Sequence, residues 1–434
     1  MRILISLISA VSLLSTTVYA QQKSYREAAS DAAMWIRSSA IHSDGSTIWP
    51  ADPLDPKSAN ESLYSGTPGI VLFFLEASRS GDPDSLKDAK AGADHLLAVL
   101  DNEKDAGLYT GVSGIAFALT EAFKITGNQK YREGAVRCIS SLERQAKSAG
   151  RGIEWNETAD IISGGAGIGL FLLYAARELN QPAYRILATK AGERLLELAR
   201  KEKVGVKWAM SPTFARLMPN FSHGTAGIAY FLATLYQETG RREFFDAAVA
   251  GTRYLQSVAK TEGDACLIFH NEPDGKDLYY LGWCHGPIGT ARLFYRLYQI
   301  TRDRSWMDWV RKSARAVMTS GIPEKQTPGF WNNVSQCCGS AGVAEFFLSL
   351  YSITRDPQYL DFAKRVTQHL LDKATRDNSG LRWIQAEHRV KPELLIAQTG
   401  YMQGASGIGM LLLHLDGFQQ NRKPFIRFVD SPFD

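Results

Sequence analysis

The feature that most constrains this chain is a short turn that recurs seven times. Each instance reads Gly-x-x-Gly and opens an apolar stretch. The first glycines are Gly66, Gly111, Gly164, Gly224, Gly286, Gly339 and Gly404, spaced 45, 53, 60, 62, 53 and 65 residues apart. One such turn carries no information, but seven at this spacing define an internal repeat, which sets the architecture before any local reading does. The stretches that follow are apolar nearly all round, as in Ile70 to Leu75 and Ile408 to Leu413. A helix apolar on every side is buried. Each is followed by a polar turn and then by an amphipathic stretch such as Tyr131 to Arg137, whose apolar residues recur at three and four. Every unit is therefore predicted to be one inner and one outer helix. The stretch 25–39 is an outer helix with no inner partner before it, and the seventh inner helix has no clear outer helix after it. The two ends complement each other, so the expected fold is all-α: a closed α/α toroid of seven inner and seven outer helices.

The first twenty residues stand apart. Met1-Arg2 is followed by an apolar run to Leu14 and by Val18-Tyr19-Ala20. A charged start, a short apolar core and a small-residue ending read as a secretory signal peptide. The division expected is 1–20 signal peptide and 21–434 one toroid domain, exported to the periplasm or the extracellular space, with no integral membrane segment after cleavage. Of the 434 residues, 45% are hydrophobic and 22% charged, as in an ordinary soluble domain. Forty-nine Lys and Arg against 45 Asp and Glu leave a net charge of +4. So weak an imbalance gives no basis for nucleic-acid binding, which needs a concentrated basic patch. A monomer is expected.

In a ring of this kind the seven turns lie on one face, at the N-termini of the inner helices, which adds a positive dipole field there. Long connections precede several of them, including residues 150–163, 210–222, 262–282 and 377–403. Connections of this length are usually functional. Three of the five cysteines sit on that face. Cys284 lies in Gly282-Trp283-Cys284-His285-Gly286, and Cys337-Cys338 immediately precede Gly339, in the next repeat. The ring brings these thiols together. Three converging thiolates suit Zn²⁺ and leave a fourth position open, the arrangement of a catalytic site. A Cys284–Cys337 or vicinal Cys337–Cys338 disulfide is the alternative in an oxidising compartment. Cys138 reads as an inert buried thiol, and Cys266 is open to either role. His223 precedes Gly224 as Cys338 precedes Gly339 and His285 precedes Gly286. It is the candidate acid or base, with Asp160 to orient it.

The seven repeats, the Gly282–Gly286 motif, the Cys337-Cys338-Gly339 motif and the segment Ser222 to Ala229 resemble the lanthionine synthetase C-like family, over residues 25–415. The resemblance implies an α/α toroid with a zinc site held by Cys284, Cys337 and Cys338. Cys338 stands where a His is commoner. It also implies His223 as catalytic His and Asp160 as active-site Asp. Family cyclases often carry Arg where this chain has Tyr280, and several have Tyr where it has His285, so these two are expected to position substrate. The reaction implied is zinc-dependent thioether formation, with the thiol of a peptide Cys or a small molecule adding to a dehydroamino acid. The rivals are an exported glycosidase or polysaccharide lyase on a similar toroid, with carboxylates such as Glu154, Glu157 and Asp160 at the mouth, and a zinc-stabilised peptide-binding module.

Overall fold

A computed structural model describes residues 24–43 and 45–433; the signal-peptide reading of residues 1–20 lies outside them. Among the described residues, fourteen α-helices alternate between two concentric layers. The inner helices are α2 (Thr67–Arg79), α4 (Val112–Thr126), α6 (Gly165–Glu178), α8 (Thr225–Thr239), α10 (Pro287–Thr301), α12 (Ser340–Thr354) and α14 (Ala405–Gln419). The outer ones are α1 (Tyr25–Ser38), α3 (Ser85–Val99), α5 (Gln129–Gln145), α7 (Ala183–Leu198), α9 (Arg242–Val258), α11 (Arg304–Met318) and α13 (Pro357–Asp372). Each inner helix packs on the outer helix after it, and α14 packs on α1. The ring therefore closes as the unpaired ends required, and Arg26 of α1 pairs with Asp416 of α14 at 3.0 Å. Among the described residues no helix is long and apolar enough to cross a membrane.

Every inner helix begins directly after the first glycine of its turn. The reason is close approach. The connection before each helix folds back against the first glycine, and at Gly66, Gly111, Gly164, Gly224, Gly339 and Gly404 a carbonyl six residues upstream sits against it. A Cβ on Gly224 would lie 1.7 Å from the Met218 oxygen, and one on Gly111 1.9 Å from that of Asp105. The second glycine meets the same constraint, at 1.9 Å from Trp283 O for Gly289 and from Tyr401 O for Gly407. These upstream carbonyls also accept from the opening amides of the helices, as in Val112 N to Asp105 O (2.7 Å) and Ala405 N to Gln398 O (2.8 Å). The amides that a helix N-terminus leaves unpaired are thus used internally.

The seven turns are also tied to one another. Tyr64, Tyr109, Ile162, Ser222, Cys284, Cys337 and Met402 each stand two residues before a turn. The amide of Tyr64 donates to the Tyr109 carbonyl, Tyr109 to Ile162, Ser222 to Cys284, Cys284 to Cys337, Cys337 to Met402 and Met402 to Tyr64. Ile161 closes the remaining step to Ser222, and all seven bonds measure 2.8–3.2 Å. The result is a circle of backbone hydrogen bonds around the ring axis.

Among the described residues no sheet larger than two strands competes with the helices. Twelve strands of two or three residues pair into six antiparallel hairpins. Five of these follow outer helices: β1–β2 (Ile41–Ser43, Ser46–Ile48), β3–β4 (Lys147–Ala149, Gly152–Glu154), β5–β6 (Arg200–Lys201, Val206–Lys207), β7–β8 (Lys260–Glu262, Ala265–Leu267) and β9–β10 (Thr375–Asp377, Gly380–Arg382). Trp155, Trp208 and Trp383 come directly after three of them. Each indole donates, at 2.7–2.8 Å, to a carbonyl thirteen residues earlier near the end of the outer helix: Leu142, Leu195 and Leu370. The sixth hairpin, β11–β12 (Ile384–Ala386, Leu395–Ala397), covers the rim beside α12 and is held there by Trp331 Nε1, which donates to Ala386 O at 2.9 Å.

After α14 the chain turns into the ring, a course the sequence reading assigned no role. The amides of Phe425 and Ile426 both donate to Glu76 Oε2 at 2.8 Å, and Arg422 reaches Glu76 Oε1 at 3.2 Å. These partners account for a carboxylate that is fully buried on α2. Phe428 stacks on Tyr401 at 4.3 Å, and Phe433 lies between Tyr295 of α10 and Phe346 of α12.

Close approach gives a test of the turn. Gly224→Ala is expected to cost about 2–3 kcal/mol, because the new methyl must displace backbone. Gly165→Ala meets nothing within 4 Å and is expected to be neutral or stabilising by up to about 1 kcal/mol. Denaturant unfolding of the two variants checks both, and equal losses would show that the turn does not depend on this contact.

Candidate metal centre and active site

Because Cys284 and Cys337 belong to the hydrogen-bonded circle, their thiols are held on neighbouring members of it. Cys338, one residue further along, completes the cluster. The Cys284 and Cys338 sulfurs are 2.9 Å apart, and those of Cys338 and Cys337 3.4 Å. All three sulfurs lie within 4.8 Å of one another and are buried. All five cysteines are free thiols, so neither disulfide alternative is formed. The donor set fits a soft divalent ion such as zinc: three convergent sulfurs, no competing carboxylate in the group, and crowding that a shared cation would relieve.

Protonation reflects the same crowding. Donation from the Cys284 and Cys338 thiols holds Cys337 well below the ordinary thiol range. Burial drives Cys284 well above it. The other two cysteines behave differently. Cys138 on α5 is pushed up by burial to about 12, and Cys266 on β8 to about 11. Both are buried and lie outside the three-sulfur group.

A pocket of about 330 Å³ opens over the sulfurs, lined by Cys284, Cys337, His223, Tyr64, Thr110 and Trp283 among others. Asp160 is fully buried. Its Oδ1 accepts from the amides of Ser163 and Gly164, both at 2.9 Å, and its Oδ2 lies 2.5 Å from His223 Nδ1. That contact fixes the ring of His223 and leaves Nε2 toward the pocket. Burial alone would lower the His223 pKa. The hydrogen bond and charge of Asp160, with Cys337 adding, outweigh burial and raise it above the ordinary value.

His285 lies beside this pair, with ring centroids 5.7 Å from His223, 4.2 Å from His270 and 5.7 Å from Tyr280. Burial, helped by the two neighbouring histidines, drives its pKa well below the usual range. It is a neutral wall of the site. Tyr280 packs on Trp331 at 5.2 Å, and its hydroxyl accepts from Arg389 Nε at 3.3 Å. A cation thus reaches the Tyr280 position from the β11–β12 hairpin, far away in sequence.

Sequence reasoning missed Tyr64, His270, Gln403 and Arg389. For Tyr64 the signal was available, since it occupies the same place before its turn as Cys284 and Cys337. Its hydroxyl accepts from Gln403 Nε2 at 2.7 Å, so its own proton is directed to the thiols, where Cys337 is its partner. The expected dipole field is weaker than seven open N-termini would give, because upstream carbonyls occupy those amides. The three carboxylates named for a glycosidase are not brought together as a facing pair: Asp160 is bonded to His223, Glu154 pairs with Arg194 at 2.8 Å, and Glu157 is exposed.

The α/α toroid thus carries on one face three buried thiols that could hold a metal ion and, beside them, a carboxylate-held histidine. Residues 57–428 match the family described as lanthionine synthetase C-like protein, and the chain belongs to that family. Among curated relatives, a zebrafish (Danio rerio) protein named glutathione S-transferase LANCL1 is 23% identical over 306 residues, covering 68% of this chain and 71% of its own. Among solved structures, nisin cyclase aligns over 86% of this chain and 91% of its own, with 17% identity and a TM-score of 0.62. A family 76 α-mannanase from Bacteroides thetaiotaomicron aligns over 92% and 97%, with 13% identity and a TM-score of 0.53. The two structural likenesses establish the shared toroid.

The Asp160–His223 contact predicts a titration. Asp160→Asn should move the His223 pKa down from its raised value, read by NMR of the imidazole. The linked stability follows in sign: a raised pKa stabilises the fold fully below about pH 6.5 and loses that contribution as pH rises through the folded value. His223→Gln should abolish that pH dependence. An unmoved His223 titration in Asp160→Asn would break the assignment.

Proposed function

We propose that this protein forms thioethers by adding a thiol to an α,β-unsaturated peptide carbonyl, with zinc held by Cys284, Cys337 and Cys338. The observation that carries the reading is His223: its Nδ1 is tied to Asp160, and the ring faces the same small pocket as the Cys284 and Cys337 sulfurs. Cys284, Cys337 and Cys338 would hold the zinc, which when bound would supply Lewis acidity that lowers the pKa of a thiol. The chain's own residues do the rest. The pocket orients the thiol sulfur toward the β-carbon of a dehydroamino acid. The carbon–sulfur bond forms as the π pair moves onto the carbonyl to give an enolate. His223, kept protonated by Asp160, delivers its Nε2 proton to the α-carbon. The thiol's proton is released in exchange, so the addition is proton-neutral overall. Tyr64 orients the cluster through its hydroxyl, while His285 and Tyr280 shape the wall against which the substrate rests.

The relatives support the two halves of this reaction by name, one as a cyclase and one as a glutathione transferase. The thiol is accordingly a peptide Cys or a small thiol of the glutathione type. The Met1–Ala20 pattern supports a place of work outside the cytoplasm.

The test is a dehydroalanine peptide and a thiol, followed by adduct mass together with zinc content. Cys284→Ala is expected to lose zinc and rate together. His223→Ala should retain zinc and lose roughly 10²–10⁴ in rate, the range for a positioned acid. The alkaline limb of the rate profile should follow deprotonation of His223 and shift to lower pH in Asp160→Asn. Adduct formation at the uncatalysed rate in the zinc-loaded protein would end this reading in favour of a binding module.

A further inference from the structure

A second cavity, of about 450 Å³, lies inside the ring between α12, α14 and the chain after Gln420. It runs from Arg355 at the end of α12 up to Trp283 and Tyr401, and Trp283 is the one lining residue it shares with the thiol pocket. Its volume is that of a small-molecule site. Its polar groups are incompletely used. His414 Nδ1 meets Glu345 Oε1 at 2.8 Å, but His414 Nε2 and Glu345 Oε2 are buried with no partner among the described residues. His414 is 8% exposed. Arg292 of α10 lies over the rings of Phe221 and Phe433, at 5.7 and 5.8 Å, and its buried Nε is likewise unpartnered. Asp430 already accepts from Trp283 Nε1 at 3.1 Å.

An unmet buried donor and an unmet buried acceptor are each destabilising, and a single ligand can satisfy both. A simple acid would engage Arg292 and leave the Glu345 oxygen facing negative charge. A simple amine would do the reverse. Arg292 and His414 face Glu345 and Asp430 in the inner part of the cavity, while Arg355, Arg422, Lys423 and Arg427 also line it, Arg422 being paired with Glu76. Burial opposes protonation of His414, but the Glu345 charge raises its pKa all the same. The walls between these groups are aromatic: Phe346, Tyr401, Phe428 and Phe433.

We propose that this cavity binds an apolar zwitterion of amino-acid chemistry, its carboxylate on Arg292 and its ammonium on Glu345. A single large amino acid and a short peptide with both ends free share this chemistry. The site is independent of the thiol cluster and of the reaction proposed for it.

Isothermal titration calorimetry on the full, zinc-loaded protein tests the idea with L-phenylalanine, the dipeptide phenylalanyl-leucine, and the dipeptide's N-acetyl and C-amide forms. Saturable one-to-one binding of an uncapped probe is expected, with at least about tenfold loss on capping either end. A response to the amino acid alone identifies the smaller ligand, and to the dipeptide alone the larger. Arg292→Leu should abolish discrimination against the amide, and Glu345→Gln discrimination against the acetyl form. His223→Ala should change neither. The comparison of capped and uncapped probes needs no variant, so it stands even if a substitution harms folding. No saturable binding, indifference to capping, or binding lost in His223→Ala but kept in Arg292→Leu would overturn the proposal.

Discussion

The circle of seven backbone hydrogen bonds is the constraint on which the site depends. A ring of helices held only by apolar packing could slide, each pair adjusting along its axis. The amide-to-carbonyl bonds from Tyr64 round to Met402 remove that freedom at one end. Each bond is worth only about 0.5–1.5 kcal/mol net, but all seven fix a common level across repeats that are far apart in sequence. The glycines belong to this arrangement, since the connections can lie against the helix starts only where no Cβ intervenes.

Chemistry then follows from register. The residue two before each turn is part of the circle, and the one immediately before each turn projects beside it. Cys284 and Cys337 hold the first place in adjacent repeats; His223, His285 and Cys338 hold the second in three consecutive ones. The three thiols and His223 are therefore positioned by backbone, with few side-chain supports of their own. Asp160 is an exception. It stands four residues before its turn and serves through two backbone amides and one imidazole.

Much of this was legible in the sequence because it repeats. The Gly-x-x-Gly spacing gave the layer order and the number of helices. The shared place of His223, His285 and Cys338 gave the site face. What could not be read was whatever breaks the repeat. Arg389 reaches Tyr280 from a hairpin over a hundred residues away, and no periodicity points to it. The segment from Arg422 to Phe433 follows the last unit, and only Glu76, Trp283 and the inner aromatics show that it enters the ring. The tryptophans at 155, 208 and 383 did repeat, but a lone Trp after a polar stretch has no helical period to reveal it.

The pairing of α1 with α14 bears on how such a chain comes to be folded. The contact between Arg26 and Asp416 spans 390 residues, and the circle of amides cannot close until the last turn exists. Contacts so distant in sequence are slow to form, and each growing intermediate exposes two unpaired apolar edges that invite association with other chains. Synthesis order thus decides little: an N-terminal half has helices but no ring to be level with. Folding is in this sense deferred to the end of the chain, which keeps the polypeptide pliable for as long as any of it remains to be made.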